Sequence, residues 1–297
     1  MSNTRTAYQA YGATSLFVLL WSSGAIFSKW GLAHATPFAF LLLRFMLALA
    51  ALLALASLAR HPWLPPRGTR AHVAATGLAM TGGYSLCYLL ALDRGITPGV
   101  LATTLGAQPL LTLILLERRY AWRRLLGLAL ALAGLALVVW ESLGLARYSA
   151  SGMLYALGAL LCMTAGAILQ KSAALPPLRV LPLQYAVGLA LCSAFVPFQP
   201  WRLEPGWALW VPVLWLALVI SVAATLLLYR MIQSGNLVNV TSLFYLVPGV
   251  TALLDYLLLG NRLSVHGLAG MAAILTGLAL AFRAAPGPAG GTQINGK

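Results

Sequence analysis

The sequence predicts an all-α integral membrane protein of ten transmembrane helices, built as two five-helix inverted-topology repeats. Three observations carry this expectation. Hydrophobic residues make up 61% of the 297 positions and charged residues 8%, against about 45–50% and about 25% in soluble domains. A soluble fold could not cover its surface with so few charges. The apolar residues run in blocks near the ~20 residues that a helical crossing needs, without the alternation of barrel strands. Landmarks of the first half then return in the second, about 140 positions later.

The blocks fall at 12–31, 37–58, 72–92, 98–116, 121–141, 152–173, 179–199, 207–230, 236–259 and 265–283. The links are short and carry turn chemistry, as in His61-Pro62, Pro65-Pro66-Arg67-Gly68, Thr97-Pro98-Gly99, Pro176-Pro177 and Gly260-Asn261. Residues 12–141 form the first repeat and 152–283 the second. The Gly/Pro-rich stretch 284–297 reads as a disordered tail. The first block is too long for a signal h-region and its flank carries only Arg5, so it stays as a helix.

The net charge of +14 would suggest nucleic acid in a soluble chain. Here the basic residues lie between apolar blocks and set orientation, so no nucleic-acid partner is expected. With both termini cytoplasmic, 13 of the 19 Lys and Arg residues fall in inside segments and five outside, with Arg44 inside the second span. Trp30, Trp140, Trp201 and Trp207 near span ends fit an aromatic belt. The three cysteines, Cys87, Cys162 and Cys192, lie in apolar blocks without metal-ligand spacing and read as small core residues.

The repeat is visible in Gly95-Ile96-Thr97-Pro98-Gly99-Val100, continuing to Gln108-Pro109, against Gly235-Asn236-Leu237-Val238-Asn239-Val240, continuing to Val247-Pro248. Each proline is followed by an apolar run and a polar turn, Leu116-Glu117-Arg118 and Gly260-Asn261-Arg262. Two glycines seven apart come next, Gly127/Gly134 and Gly270/Gly277, and Lys29 matches Lys171. Five spans is an odd number, so the second copy crosses the membrane in the opposite sense, as in secondary transporters. If the two copies exchange conformations, a site between them opens to the other side at similar energy.

In Trp21-Ser22-Ser23-Gly24 through Lys29, then Pro37 and Arg44, in Ala91-Leu92 through Pro109 and Glu117, and in Leu257 through Ser264, the chain resembles the ten-helix drug/metabolite transporter superfamily, EamA type. The resemblance covers about 12–283. It implies a metabolite exporter of the bacterial inner membrane, often for amino acids, as in exporters of the aromatic amino-acid type. The family usually carries Glu where Asn261 stands, so any role of that carboxylate is absent from the second copy.

Pro109 and Pro248 occupy equivalent mid-span positions. Each removes a backbone donor and frees the carbonyl four residues earlier, at Leu105 and Phe244. They read as hinges, with a static kink as the alternative. Polar and aromatic groups at mid-depth read as a substrate pathway: Trp21, Tyr84, Tyr88, Thr104, Gln108, Met163, Tyr229, Asn239, Ser242 and Tyr245. Ordinary hydrogen bonding between helices is the alternative for any one of them. Spans two, five, seven and ten, rich in Leu, Ala and Val, read as scaffold; the glycines of spans five and ten suggest a dimer contact or lipid-facing packing. Monomer and homodimer both remain open.

Arg44 lies in the outer half of its span. It reads as a structural ion pair with Asp93, Glu141 or Asp255, or as an outer gate or a contact for a substrate carboxylate. No acidic residue falls at mid-depth where a proton relay would stand, so transport is expected to be facilitated or weakly coupled. Phosphate-bearing solutes would want several basic residues and cationic drugs a carboxylate. A neutral or zwitterionic solute remains, with the resemblance favouring amino acids over nucleosides or other drug-like metabolites. An integral membrane enzyme is a more distant alternative: His34, His61, His72 and His266 are dispersed and form no metal motif. No cofactor is implied.

Overall fold

The computed structural model describes residues 2–117, 121–138, 140, 149–173, 175–247, 249–250 and 265–283. These residues are almost wholly helical. Helix α1 is Ser2–His34 and α2 is Pro37–Leu58. Helix α3, Arg67–Asp93, contains a π-helical turn at Gly77–Gly83. The next crossing is broken into α4, Pro98–Leu105, and α5, Gln108–Leu116. Helix α6, Trp122–Val138, ends the first repeat. The second opens with α7, Ala150–Ser172, and α8, Pro177–Phe195. Helix α9, Trp207–Ser234, carries a π-helical turn at Trp215–Ala224. Helix α10, Leu237–Ser242, runs into a 3-10 turn at Leu243–Tyr245, and α11 is Val265–Arg283.

Seven helices among the described residues are long and apolar enough to cross a membrane. The expected fourth span is instead two short helices, and α6 has 17 residues. The expected ninth span runs beyond α10 into residues outside the described set. The expected tail 284–297 lies outside it as well.

Helix starts follow local chemistry. Pro37, Pro98 and Pro177 stand in the first turn of their helices, where a missing N–H costs nothing. The side chains of Ser149 and Asn236 accept from the N–H groups of Gly152 (3.0 Å) and Asn239 (3.3 Å) as N-caps. The two π-helical turns lie in corresponding helices of the two repeats, α3 and α9. So do the breaks at Gly106–Ala107 and Leu243–Tyr245.

The bundle turns apolar side chains both inward and outward. Phe40, Phe45, Leu52, Leu89 and Tyr185 are buried, whereas Leu154, Leu161 and Leu275 are more than half exposed. In water such an outer surface would aggregate; in a bilayer it meets lipid. Trp30, Trp140, Trp201 and Trp207 are exposed near helix ends.

One end of the bundle, the His34 face, is tied by an α1–α2 corner. Glu204 N donates to His34 O (2.9 Å) and Thr36 N to Arg202 O (3.0 Å), while His34 pairs with Glu204 at 3.2 Å. The opposite end, the Arg124 face, carries the last residues of α5, the first of α6 and the first of α10.

Helices α6 and α11 approach at backbone distance. A Cβ on Gly127 would come within 2.6 Å of Gly277 O, and one on Gly134 within 2.7 Å of Gly270 O. The glycines expected to mark a dimer contact are therefore consumed inside the chain, between the last helices of the two repeats. Replacing Gly127 or Gly277 with Val should lower the stability of the purified protein by about 1–3 kcal/mol, the usual penalty of overpacking. Thermal unfolding in detergent checks this, with Gly68→Ala, which has open space around it, leaving the midpoint unchanged.

Candidate functional site

A cavity of about 910 Å³, its open mouth included, lies between the two repeats. Helix α1 contributes Trp21, Gly24, Ala25 and Ser28; α2 contributes Arg44; α3 contributes Tyr84, Ser85 and Tyr88. The broken fourth crossing adds Pro98, Ala102, Leu105, Gly106 and Gln108. From the second repeat come Met163 of α7, Leu216 and Ile220 of α9, and Phe244 and Val247. Ala25 and Pro98 also border an adjoining recess with Ile26, Lys29 and Trp30, so the cavity leads toward the His34 end of α1.

Irregular helix geometry builds this wall. Tyr84, Ser85 and Tyr88 follow directly on the π-helical turn of α3, and Leu216 and Ile220 lie within that of α9. Such turns recur at functional sites because an extra residue redirects the following side chains. The Tyr84 and Tyr88 rings stand 5.7 Å apart, as their spacing of four predicts. At Gly106–Ala107 the helix opens just ahead of Pro109: Ala107 N donates to Thr104 O (3.1 Å) and the regular ladder resumes at Leu111 N→Ala107 O (3.0 Å). Pro109 is buried beside that break. Pro248 lies outside the described residues.

Two polar groups on the wall lack full protein partners. The Gln108 side chain is 2% exposed, and its Nε2 has no acceptor among the described residues. Arg44 Nε donates to Ser221 Oγ at 2.9 Å. Its two Nη groups have no acceptor among the described residues.

Of the side chains expected on the pathway, the structure brings together Trp21, Tyr84, Tyr88, Gln108 and Met163, with Arg44 on the same wall. The others do not line this cavity. The Thr104 hydroxyl donates to Val100 O (3.0 Å) and that of Ser242 to Val238 O (2.6 Å), each within its own helix. Tyr229 is fully buried and donates to Gln184 Oε1 at 2.5 Å. Tyr245 is fully buried against Leu113, Leu128 and Ile274. Asn239 Oδ1 accepts from Arg124. The pairing of Arg44 with Asp93 is corrected: Asp93 is exposed at the end of α3, and Arg44 turns to Ser221. Asp255 and Glu141, the other expected partners, lie outside the described residues.

Arg124 counts in the sequence only as one of the basic residues that set orientation. It is 1% exposed. Its Nη1 donates to Glu117 Oε1 (2.5 Å), and its Nη2 to Asn236 Oδ1 and Asn239 Oδ1 (2.9 Å each). This cluster bolts the α5–α6 corner of the first repeat to the start of α10 in the second. The run Arg118-Arg119 to Arg123-Arg124 gave no sign of which arginine turns inward. An aromatic layer borders the cavity: Phe17, Trp21 and Phe244, with centroids 5.2–5.6 Å apart, of which Trp21 and Phe244 line it. That layer too joins α1 of the first repeat to the second.

Among the described residues no group of His, Cys, Asp and Glu side chains is placed to hold a metal ion. The cavity offers aromatic walls, the hydroxyls of Ser28, Tyr84, Ser85 and Tyr88, one amide and one guanidinium. That composition suits reversible binding of a small solute.

Comparison with known proteins agrees with this architecture. A solved structure titled only "Crystal structure of protein" superposes with a TM-score of 0.73 at 21% identity, covering 93% of this chain and 98% of that one, which is a likeness of fold. No curated protein matches the chain. The EamA-like transporter family matches twice, over residues 10–140 and 150–283. The chain therefore belongs to the EamA-like transporter family, membrane transporters of small molecules.

Proposed function

We propose that the protein is a secondary transporter that exports amino acids, or similar small zwitterionic or neutral metabolites, across the bacterial inner membrane by alternating access. The observation that carries this reading is a cavity lined by both repeats, with an adjoining recess toward the His34 end of α1 and, on the side of the Arg124 face, an aromatic and a polar cluster that both bridge the repeats. Exchange of conformations between the halves would part the Arg124 cluster and the Phe17–Trp21–Phe244 layer while closing the His34 side. The charge asymmetry supports placing the Arg124 face in the cytoplasm, so that the present form is open outward. The breaks before Pro109 and at Leu243–Tyr245 are the hinges of this reading, because backbone ladders interrupted there can bend at small cost.

The direct test is counterflow in proteoliposomes. A labelled aromatic amino acid should accumulate transiently and saturably in vesicles preloaded with the unlabelled compound, and Trp21→Ala or Tyr84→Ala should reduce the initial rate at least ~10-fold. Flux that grows linearly with concentration and ignores these substitutions contradicts a carrier.

Arg124→Ala should shift the population toward the form open at the Arg124 face. Hydrogen bonds to charged groups contribute about 1.5–3 kcal/mol, enough for a roughly tenfold or larger shift. Thr112, fully buried on α5 between the cavity and that face, serves as reporter. A Thr112→Cys side chain should react with a water-soluble maleimide about tenfold faster in the Arg124→Ala background, and an unchanged rate rejects the latch.

A further inference from the structure

We propose that Arg44 is a carboxylate anchor, and that the cavity selects monocarboxylates with an aromatic or aliphatic body whether or not they carry an amino group. The inference rests on the cavity being the solute site of the proposed transporter, and it narrows that site's chemistry. It starts from placement. Arg44 stands seven residues after Pro37, about 10 Å along α2 by helical rise, in the part of the chain where an uncompensated charge is most costly. Its described neighbours are neutral: the Ser221 hydroxyl and the rings of Tyr84, Tyr88 and Tyr185. No described residue on the cavity wall carries a carboxylate.

The second repeat supplies an internal control. Gln184 stands seven residues after Pro177, as Arg44 does after Pro37. It is fully buried, its Nε2 donates to Gln170 Oε1 (2.9 Å), and its Oε1 accepts from Tyr229 (2.5 Å). The structural version of this position is thus a neutral amide satisfied at both ends inside the core. The first repeat has instead a cation, tied among the described residues only at Nε, on a cavity wall. A planar fork with free Nη donors matches a carboxylate's two oxygens.

The rest of the wall limits what accompanies that carboxylate. A single guanidinium leaves a phosphate dianion half-neutralised. Trp21, Phe244 and Met163 offer an apolar bed for a ring or chain. For an ammonium group the described wall has no carboxylate, only neutral acceptors (the Gln108 amide and the hydroxyls of Ser28, Tyr84, Ser85 and Tyr88) and the ring faces of Trp21, Tyr84 and Tyr88, so the amino group adds less to binding than the carboxylate.

Calorimetric titration of the detergent-purified full chain with phenylalanine, 3-phenylpropanoate and phenethylamine tests this. The two carboxylates should bind within about tenfold of each other and phenethylamine at least ~100-fold more weakly. Arg44→Gln should weaken 3-phenylpropanoate at least ~30-fold and abolish the preference for acid over amine. Arg44→Lys should retain the preference with up to ~10-fold loss. Should Arg44→Gln not fold, Ser221→Ala, which releases Nε, should still weaken the acid about threefold. Phenethylamine binding as tightly as the acid, no binding of either carboxylate, or a preference that survives Arg44→Gln overturns the anchor. Carboxylate binding with the expected ranking but no saturable vesicle flux keeps the anchor and removes the transport reading. Saturable flux indifferent to Arg44 does the reverse.

Discussion

A polar group at membrane depth has no bulk water to turn to, so it must find a partner in the protein or face a cavity that admits one. Most mid-depth polar groups here take the first course. The hydroxyls of Thr112, Thr164 and Ser242 return to carbonyls four residues earlier. Gln184 is satisfied at both ends by Gln170 and Tyr229, in a chain across three helices. Arg44 and Gln108 take the second course, and they meet on the wall of the same cavity. The site is where two such groups, short of partners among the described residues, face one cavity.

The two repeats share architecture and differ in chemistry. Both carry a π-helical turn in the third helix, a break in the fourth crossing and a glycine pair in the last helix. The glycine pairs lock α6 to α11 at backbone contact, which gives a rigid seam around which the other helices can rearrange. The closures differ. The first repeat supplies Glu117 and Arg124, which reach Asn236 and Asn239 of the second. The aligned positions of the second repeat are Asn261 and Gly267, which offer neither charge. In the proposed reading, pseudo-symmetry would make two states available, while sequence divergence would set which of them is favoured.

Much of this was legible in the sequence. Long apolar blocks reveal helices and their faces toward lipid, and the reuse of Gly95 and Pro109 as Gly235 and Pro248 reveals the repeat. Tyr84, Tyr88 and Arg44 stand out because polar groups in apolar runs are costly and α-helical spacing aligns the two rings. The remainder depends on geometry that residue spacing does not encode. Ser221, Thr225 and Tyr229 have the spacing of one α-helical face, but the π-helical turn in α9 breaks that register. Ile220 faces the cavity and Tyr229 turns to Gln184. Asn239 looks like a pathway amide, yet it serves as an acceptor for an arginine 115 positions away. Gln184 is legible by the repeat: it occupies the position that Arg44 holds in the first copy.

The account's central claim is that one cavity is offered to the two faces in turn. Sided labelling of a single cysteine at Ser85, on the cavity wall, in a chain with Cys87, Cys162 and Cys192 replaced, tests it most directly. Without solute, an impermeant reagent should reach that cysteine from the His34 face alone. During turnover it should become reachable from the Arg124 face as well, with protection from the first side rising in proportion. Simultaneous access from both faces, or none from the Arg124 face under any condition, would contradict the account.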